Sequence, residues 1–198
     1  MKLNYKILAF ILITFIVIST QKIQANDSIN QNNWTIFQLG IYPSFPLSED
    51  INNVSGLKFG LPVSSGPTTV DGVELSVFGS ATDYVNGVQI APLANLTNNI
   101  DGVQISLINC IRENSASLNI GLINVAYFNT SGLQIGGFNM TGKETTGIQL
   151  ACYNFSETQS DGAQLGILNI ANKKGLQFGL INIIKDSYIP CLPLFNNY

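Results

Sequence analysis

The polar residues that recur at a fixed interval in this chain are primary amides, which make hydrogen bonds but do not act as acids or bases near neutral pH. Glutamine stands at Gln104, Gln134, Gln149, Gln164 and Gln177, and asparagine at Asn109, Asn124, Asn139, Asn154, Asn169 and Asn182. Each amide offers two donors and one accepting oxygen. On stacked strands about 4.8 Å apart such side chains can form hydrogen-bonded ladders. An outward column of them is instead a flat polar array facing water, the kind of surface that could order ice or a carbohydrate. Proton transfer and nucleophilic attack need other groups. The chain has no histidine, which removes Ser-His-Asp and Cys-His relays and most zinc or iron ligation. No set of acid, base and nucleophile recurs or clusters, so the expectation is no catalytic residue, no cofactor and no metal centre.

Two further residue types invite a chemical reading. Asp71, Asp101 and Asp161 each precede a glycine, as in calcium-binding β-rolls. At equivalent places the intervening copies carry Asn86, Ala116, Ser131 and Thr146, so the carboxylates cannot gather around one ion, and Asp-Gly turn chemistry explains them better. The three cysteines, Cys110, Cys152 and Cys191, form no disulfide framework and lack metal-ligand spacing. Cys110 and Cys152 occupy places where other copies carry Val, Leu or Ile, and are expected to be small buried apolar side chains.

The elements that position the amides follow from an internal repeat. The segments GLKFGLPV, GVELSVFG, GVQIAPLA, GVQISLIN, SLNIGLIN, GLQIGGFN, GIQLACYN, GAQLGILN and GLQFGLIN begin at Gly56, Gly72, Gly87, Gly102, Ser117, Gly132, Gly147, Gly162 and Gly175. The intervals are 16, then 15 six times over, then 13. Within a unit the second and fourth positions are apolar and the third is polar, a period of two that predicts a strand. The fifth is always Gly, Ala or Ser, which suggests a crowded corner. One such unit is too small to fold alone, so neighbours must stack. Because every copy has the same pattern, every copy should have the same surroundings, which a parallel coil supplies and an antiparallel meander does not. The expected fold is all-β: a parallel β-solenoid of about nine 15-residue coils, roughly 40 Å long at the usual strand spacing. In it the second and fourth positions should fill the core, with the glutamines solvated or in ladders. The alternative is an antiparallel transmembrane β-barrel, one strand per unit.

The ends read differently. Lys2 and Lys6 precede an uncharged apolar run from Ile7 to Ile18, and a polar stretch then ends at Ala25. The run is shorter than the roughly 20 residues a spanning helix needs, so residues 1–25 read as a secretory signal peptide. Residues 26–50, with Trp34, Phe37, Tyr42 and Phe45, read as an N-terminal cap, residues 51–184 as the repeat domain, and residues 185–198, with Pro190 and Pro193, as a C-terminal cap that blocks edge pairing. Without residues 1–25 the chain keeps six cations against twelve acids, a formal charge of −6. The cations are scattered, which argues against nucleic acid as a partner. Seven Asn-x-Ser/Thr matches, Asn139 and Asn154 among them, read as incidental to an Asn-rich sequence.

The units GVQISLIN, GLQIGGFN, GAQLGILN and GLQFGLIN resemble those of bacterial surface repeat proteins whose copies read G-[VL]-Q-[IL]-G-[LI]-[IVL]-N. The likeness covers about residues 54–184, and the ending IPCLPLFNNY is similar to that family's ending. The resemblance implies an exported or surface-associated protein and supplies no catalytic residues. The first units depart from the pattern, with Lys58 or Glu74 in place of Gln and Val63, Gly79 and Ala94 in place of Asn. The resulting expectation is an exported, non-catalytic structural or interaction protein at the cell surface, outer membrane or periplasm. Its envelope partner and oligomeric state are not specified, and membrane association is compatible with the pattern. The alternatives are an outer-membrane β-barrel protein and a ligand-binding solenoid.

Overall fold

A computed structural model describes residues 34–41 and 53–198. The expected signal peptide and much of the expected N-terminal cap lie outside the described residues. The elements are β1 (Trp34–Ile41), β2 (Asn53–Leu61), β3 (Val63–Ser76), β4 (Gly79–Ile90), β5 (Ala94–Ile105), β6 (Ile108–Ile111), β7 (Asn114–Ile120), β8 (Ile123–Ala126), β9 (Asn129–Ile135), β10 (Phe138–Ala171), β11 (Leu176–Ile184) and β12 (Cys191–Asn197).

Successive coils lie over one another in parallel, like residues in register. Gly72 pairs with Gly87, Gly87 with Gly102, and Gly132 with Gly147; Asn109 pairs with Asn124, and Asn124 with Asn139. The chain therefore forms a parallel β-solenoid of about nine turns, and not a barrel. Each coil has two flat sides. The first carries the glycine and glutamine columns, as in residues 100–105, and the second carries the asparagine column, as in residues 108–111. The fifth position turns the corner between them. Where one coil runs into the next without a break the strand is long, as in β10, which covers 34 residues. At most of the units the opening glycine is required by the stacking. Gly87 sits at φ +137°, and a Cβ there would lie 2.1 Å from the carbonyl oxygen of Gly72.

The two ends close differently. β1 pairs in parallel with β2, placing Gln38 beside Lys58 and Gly40 beside Gly60. It is one more rung, whose membership the sequence hid because Ile36 stands where later copies carry glycine. At the other end β12 turns back antiparallel along β11, with Phe178 opposite Phe195 and Gln177 opposite Asn196.

Which side of each strand faces inward is the reverse of the expectation. The glutamine column is buried, with Gln89, Gln104, Gln149, Gln164 and Gln177 all at 0% exposure, while Ile148 and Leu150 flanking Gln149 are 44% and 46% exposed. Alternation defines two faces but does not say which one is enclosed. Here the coil interior is narrow and the amides satisfy one another within it. Among the described residues buried polar side chains outnumber buried apolar ones, of which Val85, Ile100, Ile111 and Ala126 form one cluster.

Two smaller expectations also change. The first units depart from the asparagine pattern less than the alignment implied: a one-residue offset brings Ser64, Ser80 and Asn95, not Val63, Gly79 and Ala94, into line with Asn109, so the asparagine column starts at Asn95 and serine holds its place in the two units before. The cysteines are free, and only Cys110 is partly buried; Cys152 lies exposed at a corner.

Candidate functional site

The glutamine column forms a hydrogen-bonded chain through the rod. Each Nε2 donates to the Oε1 of the preceding rung: Gln104 to Gln89 at 2.6 Å, Gln149 to Gln134 at 2.7 Å, Gln164 to Gln149 at 2.8 Å and Gln177 to Gln164 at 2.7 Å. The asparagine column runs the other way. Asn109 donates to Asn124, Asn124 to Asn139, Asn139 to Asn154, Asn154 to Asn169 and Asn169 to Asn182, at 2.8 to 3.1 Å. The two columns thus have opposite polarity and their dipoles oppose one another. The second N–H of most asparagines holds a backbone carbonyl at the corner, as from Asn109 to Ile120 and from Asn154 to Leu165, both at 2.9 Å. That contact explains the small fifth position. A Cβ on Gly166 would come within 2.1 Å of the Ala151 carbonyl oxygen and 2.7 Å of Asn154 Nδ2.

The glutamine chain breaks once. Asn119, one methylene shorter, bonds locally instead, accepting from Ser117 at 3.0 Å and donating to Ser115 at 3.3 Å. Gln104 Oε1 and Gln134 Nε2, the atoms that would meet a glutamine there, are buried without a partner. The exception confirms the need for length: reach along the column decides whether adjacent amides connect.

At the N-terminal end the column carries charge. Lys58 and Glu74 occupy consecutive rungs, both fully buried, with Nζ 3.8 Å from Oε1. Lys58 also donates to the Ser65 carbonyl at 3.3 Å, Thr68 Oγ1 at 3.1 Å and Thr82 Oγ1 at 3.2 Å. Glu74 accepts from Ser64, from Thr82 at 2.6 Å and from Gln89 at 2.8 Å. The carboxylate thus sits at the N–H end of the amide chain, where its charge is favoured by the aligned dipoles. A cation and an anion at one repeat position in consecutive copies were the sequence signal for this pair. Enclosed at 0% exposure, they brace the coil and cannot reach a substrate.

Two of the Asn-x-Ser/Thr matches belong to the enclosed asparagine column. Asn139 and Thr141, and Asn154 and Ser156, are all fully buried, because the two residues of each pair face the interior on one strand. The glutamine column is likewise out of contact with anything outside the rod. Of the Asp-Gly positions, Asp71 accepts from Asn86 at 2.6 Å and Asp101 accepts from Tyr84 at 2.6 Å, both on the surface. No group of three or more metal-ligating side chains placed to hold an ion occurs among the described residues.

What the molecule presents outward is sorted into two long edges. From the glycine column round to the second side, the outward residues are apolar: Leu107, Leu122, Ile167 and Leu180 at the corner are 51 to 63% exposed, and Phe138 and Met140 on the second side are 49% and 41% exposed. Apart from the enclosed Lys58 and Glu74, the charged residues of the repeat region lie in the stretch between the second side and the next glycine. Asp101, Arg112, Glu113, Lys143, Glu157 and Lys173 are among them. On this charged edge burial pushes the Asp83 carboxyl above its usual range, partly offset by Arg112, and Lys143 lies 4.1 Å over the Phe128 ring. Burial likewise pushes the Cys110 thiol up.

No family model, curated protein or solved structure matches this chain.

Proposed function

We propose that this is an exported structural and interaction protein of the cell surface or envelope, without catalytic activity of its own. The observation that carries the reading is the enclosure of its polar columns and of its buried ion pair. Amides fill the interior rung by rung, and the buried ion pair is turned away from solvent. What remains outside is a rigid, regularly spaced surface, suited to contact and not to turnover. The N-terminal charge-then-apolar pattern ending at Ala25 and the resemblance of the repeat to bacterial surface proteins support the placement outside the cytoplasm.

Expression of the full chain with a C-terminal tag in a bacterial host, followed by fractionation and N-terminal sequencing, tests this. The expected result is a tagged chain beginning at Asn26 in the periplasmic, envelope or external fraction. An intact chain confined to the cytoplasm would contradict it.

A further inference from the structure

Four observations about the exterior converge on one partner. The apolar residues are contiguous, running from the second position of a unit through the corner to the second side, and they repeat on successive rungs. An arc of about eight residues is roughly 26 Å wide and nine rungs are roughly 40 Å long, or about 1,000 Å² in projection. That exceeds the roughly 300–600 Å² of the largest apolar patch on a typical soluble monomer.

The surface is also convex. It wraps a corner between two flat sides, with Leu107, Leu122, Ile167 and Leu180 at the ridge. A second copy could stack on one side at a time. One side is only about 10 Å wide, so such a contact covers roughly 400 Å² per partner, about half of what a stable interface buries. A fluid acyl phase can cover both sides and the ridge together.

The ridge also meets the hydrogen-bonding demand of a lipid phase, where an unpaired backbone donor is costly. Much of its backbone is bonded rung to rung: Leu107 donates to the Pro92 carbonyl, Ile123 to Leu107, Gly137 and Phe138 to Leu122, and Tyr153 to Gly137, at 2.9 to 3.3 Å. Finally, the surface charges sit on the opposite edge, so immersing the ridge desolvates none of them.

We propose that the apolar ridge of the rod lies in the surface of a lipid bilayer, parallel to the membrane plane, with the charged edge in water. The charged edge carries both signs and the chain is acidic. Apolar burial, and not attraction to anionic headgroups, therefore drives binding, and it persists at high salt. This proposal adds a partner to the reading of a non-catalytic envelope rod. Its experiment fails independently: loss of export leaves vesicle binding untouched, and loss of vesicle binding leaves export untouched.

The test is flotation of the full chain with phosphatidylcholine vesicles, beside the variant Leu107→Ser, Leu122→Ser, Ile167→Ser, Leu180→Ser, whose changes touch neither ladder. The parent should float at both 0.1 M and 1 M salt, and the variant's partition coefficient should fall at least tenfold. Both chains share the N-terminal apolar run, so a second readout separates ridge from N-terminus. An environment-sensitive fluorophore on the exposed Cys152, at the corner, is examined in the Cys110→Ser, Cys191→Ser background. It should blue-shift on adding vesicles and be quenched by brominated acyl chains, whereas the same label on Glu113→Cys in a background that also carries Cys152→Ser should not. A Cys152 label that stays in water while the chain floats would overturn the proposal. So would a parent that does not float and forms a dimer in buffer that the four-serine variant dissolves; that result would assign the ridge to a second copy.

Discussion

The N-terminal and C-terminal stretches of the glutamine column do the same job with different chemistry. At Lys58 and Glu74 the column is two opposite charges wrapped in Ser64, Thr68 and Thr82 hydroxyls. From Gln134 to Gln177 it is a run of neutral amides. The charged stretch concentrates its cohesion in one pair, and removing either member leaves the other enclosed and uncompensated. The neutral stretch spreads cohesion over many bonds of modest net worth each. A parallel coil can therefore enclose polar side chains without a large apolar core, provided each finds its partner one rung away.

The largest effect should come from breaking the charged stretch. Lys58→Met leaves Glu74 buried without its cation and should cost about 3–5 kcal/mol, read from the midpoint of urea unfolding. Converting both, Lys58→Gln with Glu74→Gln, makes the stretch resemble the C-terminal one and should recover most of that loss. A mild effect of the single change would erase the distinction between the stretches. In the neutral stretch Asn139→Ala removes the acceptor for Asn124 and the donor to Asn154, and should cost about 2–3 kcal/mol by the same measurement. Asn119→Gln acts in the opposite direction. It offers partners to Gln104 Oε1 and Gln134 Nε2 and should stabilise the chain by about 1 kcal/mol, with no change if the two halves of the column are energetically separate.

A smaller, local difference should separate the cysteines. Exposed Cys152 should react with a neutral thiol reagent at pH 8 several-fold faster than Cys110, whose thiol is shielded and held protonated by burial. Mass spectrometry of the modified sites reads this directly. Equal rates would mean that the second side of the coil opens in solution.

The sequence made the coil legible because fifteen-residue spacing survives between Gly72 and Gly162, and because identical units need identical surroundings. It did not show which face was inside. A strand reading L-Q-I presents one amide and two apolar side chains on opposite faces, and the ordinary preference for apolar interiors pointed the wrong way. The decisive information lay in reach and pairing: Gln and Asn long enough to meet their copies one rung away, and a small fifth residue that leaves room for Asn154 beside Gly166. Ile36 in place of glycine concealed the rung formed by β1, and the one-residue offset at Ala94 and Asn95 concealed the start of the asparagine column. The outer edges were visible only once the coil fixed which residues face out.

Side-chain amide hydrogen exchange, resolved by NMR, tests the enclosed amide columns most directly. The Nε2 protons of Gln149 and Gln164 and the Nδ2 protons of Asn139 and Asn154 should exchange at least about a hundredfold more slowly than those of exposed Asn129, given that opening the rod costs several kcal/mol. Exchange of Gln149 and Gln164 as fast as Asn129 would place the glutamines outside and contradict the architecture described above.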